Sequence, residues 1–279
     1  MSGRSSCLAV LMLVAGVYVA AAQPECAGLG DLDANGLVGF TDLGAFAACM
    51  AGPGVTPACD PVVAERADFG PDGDVDLGDF ATLSPLVGRQ YFDYGPHRAS
   101  LEAEMLAMQL TGQLRAPDAQ YDRILGDLAR IRAAYPVLVT VTDDPDYVPN
   151  ELIVKLVAGQ PLDEYNALSA YYLLTGQELI FGTWWTLSFC DNLNANALGP
   201  IYAALAAVEF AEPNYLIGMD DQITVAALGG TYRYTIDDGF LDCFDGCDCH
   251  RVWVFDVSLF GSVTLVSYQE YGQPWCEFR

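Results

Sequence analysis

Apolar positions recur at helical spacing through the first half of the chain. Two sets of positions predict two short amphipathic helices: Phe40, Leu43, Phe46, Ala47 and Met50; and Leu77, Phe80, Leu83 and Val87. Two longer helices are predicted over 98–115 and 118–135, with Asp118 as the N-cap of the second and Pro136 as its stop. The polar stretch 89–97 between these two pairs of helices is predicted to be a linker.

After residue 146 the pattern changes to alternation, interrupted by two helical stretches. Three segments are predicted to form four strands: 151–157, the hairpin 178–190, and 209–217. One helix is predicted from Pro161 to Gly176, and the positions Ile201, Leu205 and Val208 indicate another. The resulting order βαββαβ is that of a ferredoxin-like domain.

The tail from Gly229 to Arg279 also alternates between polar and apolar residues. Its apolar positions predict strands of a small antiparallel sheet: Tyr232, Tyr234 and Ile236; Val252, Val254 and Phe255; and Val263, Leu265 and Val266. The predicted fold class is therefore α+β, with an all-α N-terminal part.

Two twelve-residue segments carry oxygen-bearing side chains at the spacing of a calcium-binding loop. The second segment begins 37 residues after the first, and Gly36 and Gly73 stand at position 6 of each, where the loop turns sharply. The predicted ligands are Asp31, Asp33, Asn35, Leu37, Gly39 and Asp42 in the first loop, and Asp68, Asp72, Asp74, Asp76 and Asp79 in the second. The alternative is that these acids only solvate a surface loop.

Each loop leads into one of the two predicted amphipathic helices. Pro24, Gly28 and Gly30 disfavour a helix before the first loop. A duplicated loop and exiting helix, with Asp at position 12, resembles a dockerin repeat pair, and the resemblance covers about residues 29–88. It implies calcium as the cofactor and a cohesin-like protein as the partner.

Two features of the repeats differ from the dockerin pattern. Gly70 stands at position 3 of the second loop, so that site lacks one carboxylate and is expected to bind more weakly. The positions that dockerins use to contact cohesins are occupied by Phe40–Thr41 and Leu77–Gly78 instead of the usual hydroxyl pair.

A second resemblance lies in the βαββαβ region. The segments Tyr147–Leu156 and Val208–Tyr215 resemble the opening and closing strands of subtilisin-family propeptides of the fervidolysin type. The resemblance implies a domain whose sheet packs on a protease and whose tail enters the active-site cleft. The 64 residues after Tyr215 are too few for the protease itself, so the domain either acts in trans or reuses the fold without that role.

Charge and the N-terminal sequence indicate the compartment. Residues 1–22 carry Arg4, an apolar run and a small-residue cleavage site, which predicts a secretory signal peptide. Without it the net charge changes from −25 to −26, so nucleic acid and anionic membranes are poor partners. We expect a secreted protein.

Eight cysteines remain after the signal peptide: 26, 49, 59, 190, 243, 247, 249 and 276. An even number in an exported chain predicts disulfides, and a Cys49–Cys59 pair would clamp the turn between the two repeats. The alternative for the later cluster is a zinc site formed by Cys243, Cys247, Cys249 and His250. Disulfides are favoured, because two ligands separated by one residue form an unusually tight chelate.

The predicted organisation has five parts: a signal peptide at 1–22, dockerin-like repeats at 24–88, a linker and two helices at 89–136, a propeptide-like α+β domain at 137–226, and a Cys-rich β tail at 227–279. No catalytic residue is predicted. The predicted function is that of a secreted calcium-binding, non-catalytic binding or structural protein. The alternatives are a trans-acting inhibitor of a subtilisin-like protease through residues 147–217, and a polysaccharide-degrading enzyme for which the repeats are an appendage.

Overall fold

Three short helices form the N-terminal part of the chain in a computed structural model that describes residues 26–95, 98–143, 145–216, 221–241, 243 and 247–276. They are α1 (Phe40–Cys49), α2 (Pro61–Ala67) and α3 (Leu77–Leu83), followed by a 3-10 turn at Ser84–Leu86. The predicted signal peptide, residues 1–22, lies outside the described residues. α3 ends earlier than predicted, because Pro85 cannot donate the next helical hydrogen bond.

The helix α2 was not predicted from the sequence. Pro61 occupies its first turn, and the Asp60 side chain accepts a hydrogen bond from Val62 N at 2.9 Å. A disulfide joins Cys49 at the end of α1 to Cys59 before α2, as predicted. The helices and loops enclose a small core: Leu32, Val38, Phe46, Cys49, Ala67, Val75, Leu83 and Tyr91.

Two longer helices follow, α4 (Leu101–Thr111) and α5 (Asp118–Ala134). α4 is shorter than the predicted 98–115 because Ser100 caps its start and Gly112, at φ +64°, ends it. Asp118 is not the N-cap of α5. It occupies the first turn and forms an ion pair with Arg98, while Pro117 precedes the helix.

The first antiparallel sheet and its two helices lie between residues 147 and 215. Their order is β1 (Tyr147–Leu156), α6 (Asp163–Tyr171), β2 (Leu174–Phe181), β3 (Trp184–Phe189), α7 (Ala195–Ala203) and β4 (Val208–Tyr215). The element order is βαββαβ, and the strands lie in the order β2-β3-β1-β4 with antiparallel neighbours.

Two helix boundaries in this region differ from the prediction. α6 ends at Tyr171, because Leu173 adopts φ +49° and reverses the chain into β2, which contains Gly176. α7 begins at Ala195, where the Asn194 side chain accepts a hydrogen bond from Ala197 N at 3.3 Å, and ends at Ala203. Leu205 and Val208, which were predicted to belong to this helix, lie outside it, and Val208 begins β4 because it pairs with Leu156 in the sheet.

The two faces of the first sheet differ in burial. Leu152, Val154 and Leu187 are buried in the core beside α7, which packs on β1 and β4. Because successive side chains of a strand point to opposite faces, Ile153 and Trp184 lie on the other face, where they are partly exposed. One face of the sheet is therefore outside the described core.

The second antiparallel sheet is a four-stranded meander. Its strands are β5 (Asp221–Leu228), β6 (Thr231–Phe240), β7 (Cys249–Ser258) and β8 (Val263–Gly272), and they pair in that order. The last three strands contain the apolar sets that predict a β tail. β5 was not predicted, and the proposed domain boundary at 226/227 falls within it. The fold is mixed α and β with two antiparallel sheets, as the predicted class requires.

The stretch predicted as a linker is hydrogen-bonded on both sides. Val38 N donates to Arg89 O at 2.9 Å, and Leu37 and Gln90 form an antiparallel bridge. Phe92 N donates to Tyr171 O at 2.7 Å. The described part of the stretch, residues 89–95, therefore connects the first loop to α6 through its backbone, which side-chain polarity alone could not indicate.

Candidate metal centre

The first predicted loop folds around the carboxylates at its positions 1 and 12. Asp31 Oδ1 and Oδ2 accept hydrogen bonds from Asn35 N at 3.0 Å and Gly36 N at 2.9 Å. Asp42 Oδ1 accepts from Leu32 N, and its Oδ2 accepts from Gly39 N at 2.7 Å. Because the backbone wraps around both groups, their side chains are only 2% and 0% exposed.

Three carboxylates converge in this loop. Asp31, Asp33 and Asp42 each place an oxygen within 4.8 Å of the other two. Burial raises the pKa of Asp31, and the charges of Asp42 and Asp33 raise it further, while hydrogen bonds from the Gly36 and Asn35 backbone lower it. Like charges held this closely repel one another, so a divalent cation between them would stabilise the loop.

The other predicted ligands of the first loop lie beside this cluster. The Asn35 side chain donates to Asp33 Oδ2 at 2.9 Å and accepts from Leu37 N at 2.9 Å. Gly39, at position 9, is the N-cap of α1. The loop thus places Asn35 next to the carboxylates, and it places Leu37 and Gly39 in the segment that leads into the helix.

The second loop repeats these hydrogen bonds 37 residues later. Asp68 accepts from Asp72 N at 3.2 Å and Gly73 N at 2.8 Å, as Asp31 does in the first loop. Asp79 accepts from Gly70 N at 3.0 Å and Asp76 N at 2.9 Å, as Asp42 does. The two segments therefore share a backbone arrangement as well as a sequence spacing.

The exiting helices also begin at equivalent positions. The N-cap of α1, Gly39, has φ −132° and ψ −158°, and the N-cap of α3, Asp76, has φ −135° and ψ −161°. Gly36 and Gly73 adopt φ +82° and +86°, in the left-handed region that glycine favours. This agreement extends the duplication from the loops into the helices that follow them.

The two loops differ in what precedes them and in where their carboxylates meet. No helix is present in residues 26–39, whereas α2 ends at Ala67, directly before the second loop. In the second loop the converging carboxylates are Asp74, Asp76 and Asp79, at positions 7, 9 and 12, within 4.8 Å of one another. Asp68 and Asp72, which were also predicted as ligands, are not members of this group.

Two neighbours of the loops were not identified from the sequence. Tyr91 packs in the small N-terminal core, and its hydroxyl donates to Leu29 O at 2.9 Å. Gly54, in the turn between the repeats, donates its N–H to Asp74 Oδ2. Neither contact has a signal in the loop template, because both residues lie outside the two twelve-residue segments.

The cysteine cluster of the tail consists of disulfides rather than a zinc site. Cys243 pairs with Cys247, and Cys249 pairs with Cys276, so these sulfur atoms are not available as thiolates. His250 Nδ1 lies 2.9 Å from Asp237 Oδ1. A further disulfide, Cys26–Cys190, joins the start of the described chain to the end of β3.

No helix in the described part of the chain is both long and apolar enough to cross a membrane. Compared with known proteins, the chain matches no family model, no curated protein and no solved structure.

Proposed function

We propose that this chain is a secreted calcium-binding protein without catalytic activity, which uses two dockerin-like loops to stabilise an N-terminal binding module. The observation that carries the proposal is the repetition of the same carboxylate-to-backbone hydrogen bonds at a 37-residue offset. Acids that only solvate a surface have no reason to accept hydrogen bonds from equivalent backbone N–H groups in two loops. Calcium would supply the positive charge that these converging carboxylates lack.

The oxygen donors fit calcium better than a softer metal. The predicted ligand sets contain carboxylates, one amide and backbone carbonyls, and neither loop contains histidine or cysteine. Three carboxylates approach one another in each loop, so one divalent cation leaves each site with a modest negative charge. We place Asp31, Asp33 and Asp42 at the centre of the first site, with Asn35, Leu37 and Gly39 completing it.

The proposed organisation has a dockerin-like module at 24–88, a helical connector at 89–136, a ferredoxin-like domain at 137–220 and a disulfide-rich β sheet from Asp221. Position 10 of the two loops is occupied by Phe40 and Leu77, which are 90% and 73% exposed. An exposed apolar pair related by the repeat is what a protein partner of the cohesin kind would cover.

Calorimetric titration of the full chain with calcium tests this function. We expect two bound ions per chain, together with a gain of helical circular dichroism that a chelator reverses. The variant Asp33→Asn removes a charge from an exposed side chain and should weaken the first site about tenfold or more. Asp122→Asn, an exposed acid on α5, is the matched control and should bind as the parent does. The absence of binding heat, with an unchanged spectrum in chelator, would refute the proposal.

A second candidate function is inhibition of a subtilisin-like protease in trans, which the partly exposed face of the first sheet favours. Trp184 packs against Phe181 and Phe210 on this face, with ring centroids 5.8 and 5.5 Å apart, and Lys155 lies over Trp184. Tyr215, at the end of β4, is 50% exposed. An aromatic sheet face with an exposed tyrosine at the end of its edge strand fits the contact with a protease that the propeptide resemblance implies.

The full chain should then inhibit a subtilisin-type protease in a dose-dependent manner in calcium buffer. Trp184→Ser removes the centre of the aromatic face and should raise the inhibition constant about tenfold or more. Phe260→Ser, at a 97% exposed position in the turn between β7 and β8, provides the control. Digestion of the chain without inhibition would refute this candidate and leave calcium binding untouched.

A further inference from the structure

Position 7 is one of the positions at which the two loops differ in chemistry. The first loop has Leu37 there, and such a residue can offer calcium only its backbone carbonyl. The second loop has Asp74, whose side chain is 7% exposed. A buried carboxylate at this position, where the first loop has an apolar side chain, therefore requires its own explanation.

One oxygen of Asp74 is bonded and the other is not. Its Oδ2 accepts a hydrogen bond from Gly54 N, while its Oδ1 is buried and has no hydrogen-bond partner. A buried, unpartnered oxygen of a carboxylate is costly unless a cation or a donor reaches it. The carboxylate lies beside the Asp76 and Asp79 side chains, with oxygens within 4.8 Å of one another, so a divalent cation could be shared by all three.

Position 3 of a calcium loop usually supplies a ligand, but in the second loop it has no side chain. Gly70 stands at position 3, so the second loop lacks the counterpart of Asp33. The backbone of Gly70 still donates to Asp79 Oδ1 at 3.0 Å, which keeps the path of the loop the same as in the first repeat. At position 3 the second loop therefore keeps the backbone contact and lacks only the carboxylate.

We propose that the Asp74 carboxylate binds calcium directly in the second loop and replaces the ligand that Gly70 cannot provide. The inference rests on the proposed calcium function and specifies how the second site differs from the first. In the second site the acid at position 7 acts through its side chain, whereas in the first site position 7 acts through its carbonyl. The second site is thereby centred on positions 7, 9 and 12.

The turn between the repeats orients this ligand. Gly54 has φ +70° and directs its N–H to Asp74 Oδ2, and Ala51 N donates to Val75 O at 3.0 Å. The Cys49–Cys59 disulfide closes the same turn. Gly54 is therefore a positioning residue, because it fixes one carboxylate oxygen and leaves the other for the cation.

Site-resolved NMR of the full-length protein, titrated with calcium, tests the inference. The amides of Gly36 and Gly73 donate to the position-1 carboxylates of the two loops, so each reports on one site. Asp74→Asn should raise the calcium concentration at half-saturation at least tenfold for Gly73 and leave that for Gly36 within twofold. The amide oxygen of the new side chain still accepts from Gly54 N, so the turn is preserved. The control, Asp122→Asn, an exposed acid on α5 outside both loops, should leave both values within twofold.

A rescue variant separates a ligand from a structural acid. At Gly70 an added Cβ would lie 3.6 Å from its nearest neighbour, Asp79 Oδ1, so a side chain fits there. Combining Gly70→Asp with Asp74→Asn should restore the Gly73 half-saturation to within threefold of the parent value. If Asp74 only supported the fold, Gly70→Asp would tighten the parent and the Asp74→Asn sites by the same factor, whereas replacement of a lost ligand requires a larger gain in Asp74→Asn.

Each outcome has one meaning. If both glycine amides of the parent protein respond and Asp74→Asn leaves the Gly73 half-saturation unchanged, Asp74 is not a ligand and the inference is overturned, while the calcium function stands. If only Gly36 responds in the parent, the second site is not formed and the inference also fails. If neither amide responds, the proposed calcium function itself is wrong.

Discussion

The glycine at position 6 has the same backbone conformation in both loops but different surroundings. Alanine at φ above +80° costs about 1–2 kcal/mol at either position. At Gly36 the added Cβ would also lie 3.0 Å from Tyr91 O, whereas at Gly73 nothing lies within 4 Å. We expect Gly36→Ala to reduce the free energy of unfolding by about 1 kcal/mol more than Gly73→Ala, measured in urea with chelator. Equal losses would mean that Tyr91 does not pack against the first loop.

A buried carboxylate of α5 connects this helix to the second sheet. Asp127 is 2% exposed, lies 3.0 Å from the Arg130 guanidinium and accepts a hydrogen bond from Tyr234 Oη at 3.0 Å. Burial, followed by the Asp127 charge, raises the pKa of Tyr234, so the phenol remains protonated and continues to donate. Asp127→Ala should lower the free energy of unfolding by about 3 kcal/mol because its partners lose their acceptor.

The control for that prediction is an acid on the same helix. Asp122 is exposed, so Asp122→Ala should change the free energy of unfolding by less than about 0.5 kcal/mol. Thermal and urea unfolding of the three proteins provide the comparison. A loss shared equally by both variants would indicate an effect of helix charge rather than of the buried contact.

Among the elements, the disulfides close loops of very different length. Cys49–Cys59 spans 10 residues and Cys26–Cys190 spans 164. In the chain-entropy model these loops correspond to about 3 and about 5 kcal/mol of stabilisation. We therefore expect replacement of the Cys26–Cys190 pair by alanines to lower the unfolding midpoint more than replacement of the Cys49–Cys59 pair, in scanning calorimetry of the oxidised proteins. The opposite order would show that local strain or residual structure dominates.

Side-chain periodicity predicts those elements whose own residues bury one face. β1, β3 and the exiting helices α1 and α3 are of this kind. α2 has only seven residues and depends on its Asp60 cap, and β5 contains Ala226 and Ala227, which indicate no face strongly. The pairing of residues 89–92 with the first loop and α6 consists of backbone hydrogen bonds, which leave no pattern in the side chains.

The candidate site, too, was predicted from the sequence only in part. Spacing alone identifies the acids of both loops, because a calcium loop needs oxygens at fixed positions. It does not indicate that the carboxylates of the second loop meet at Asp74, Asp76 and Asp79, since the template assigns the backbone to position 7. The location of that group depends on Gly54, which lies outside the loop and is brought to Asp74 by the turn between the repeats.

At the scale of the whole molecule, two contacts between described residues attach the proposed calcium module firmly to the rest of the protein. The Cys26–Cys190 disulfide is one. The other is the segment that begins with Tyr91, whose N donates to Gly36 O at 2.7 Å, and continues to Phe92, which packs against Tyr172 with ring centroids 5.2 Å apart. Ordering of the first loop should therefore stabilise the first sheet through this segment.

The tryptophans allow this coupling to be measured. All four lie outside the calcium module, at Trp184, Trp185, Trp253 and Trp275, so their fluorescence reports on the two sheets and the turn after β8. At a calcium concentration about 100-fold above the dissociation constant, binding stabilises the folded state by about 2.7 kcal/mol. We expect the tryptophan-detected midpoint of the parent protein to rise by about 5 °C or more on calcium addition.

Phe92→Ala removes the aromatic contact between the segment and α6 and should at least halve this calcium-induced rise, while calcium still binds with its full heat. Phe260→Ala, at the exposed turn of the second sheet, should retain the whole rise. The two variants therefore separate loss of coupling from loss of binding. A midpoint that does not respond to calcium in the parent protein, in the presence of normal binding heat, would mean that the module and the sheets unfold independently and that the segment 89–95 transmits no stability.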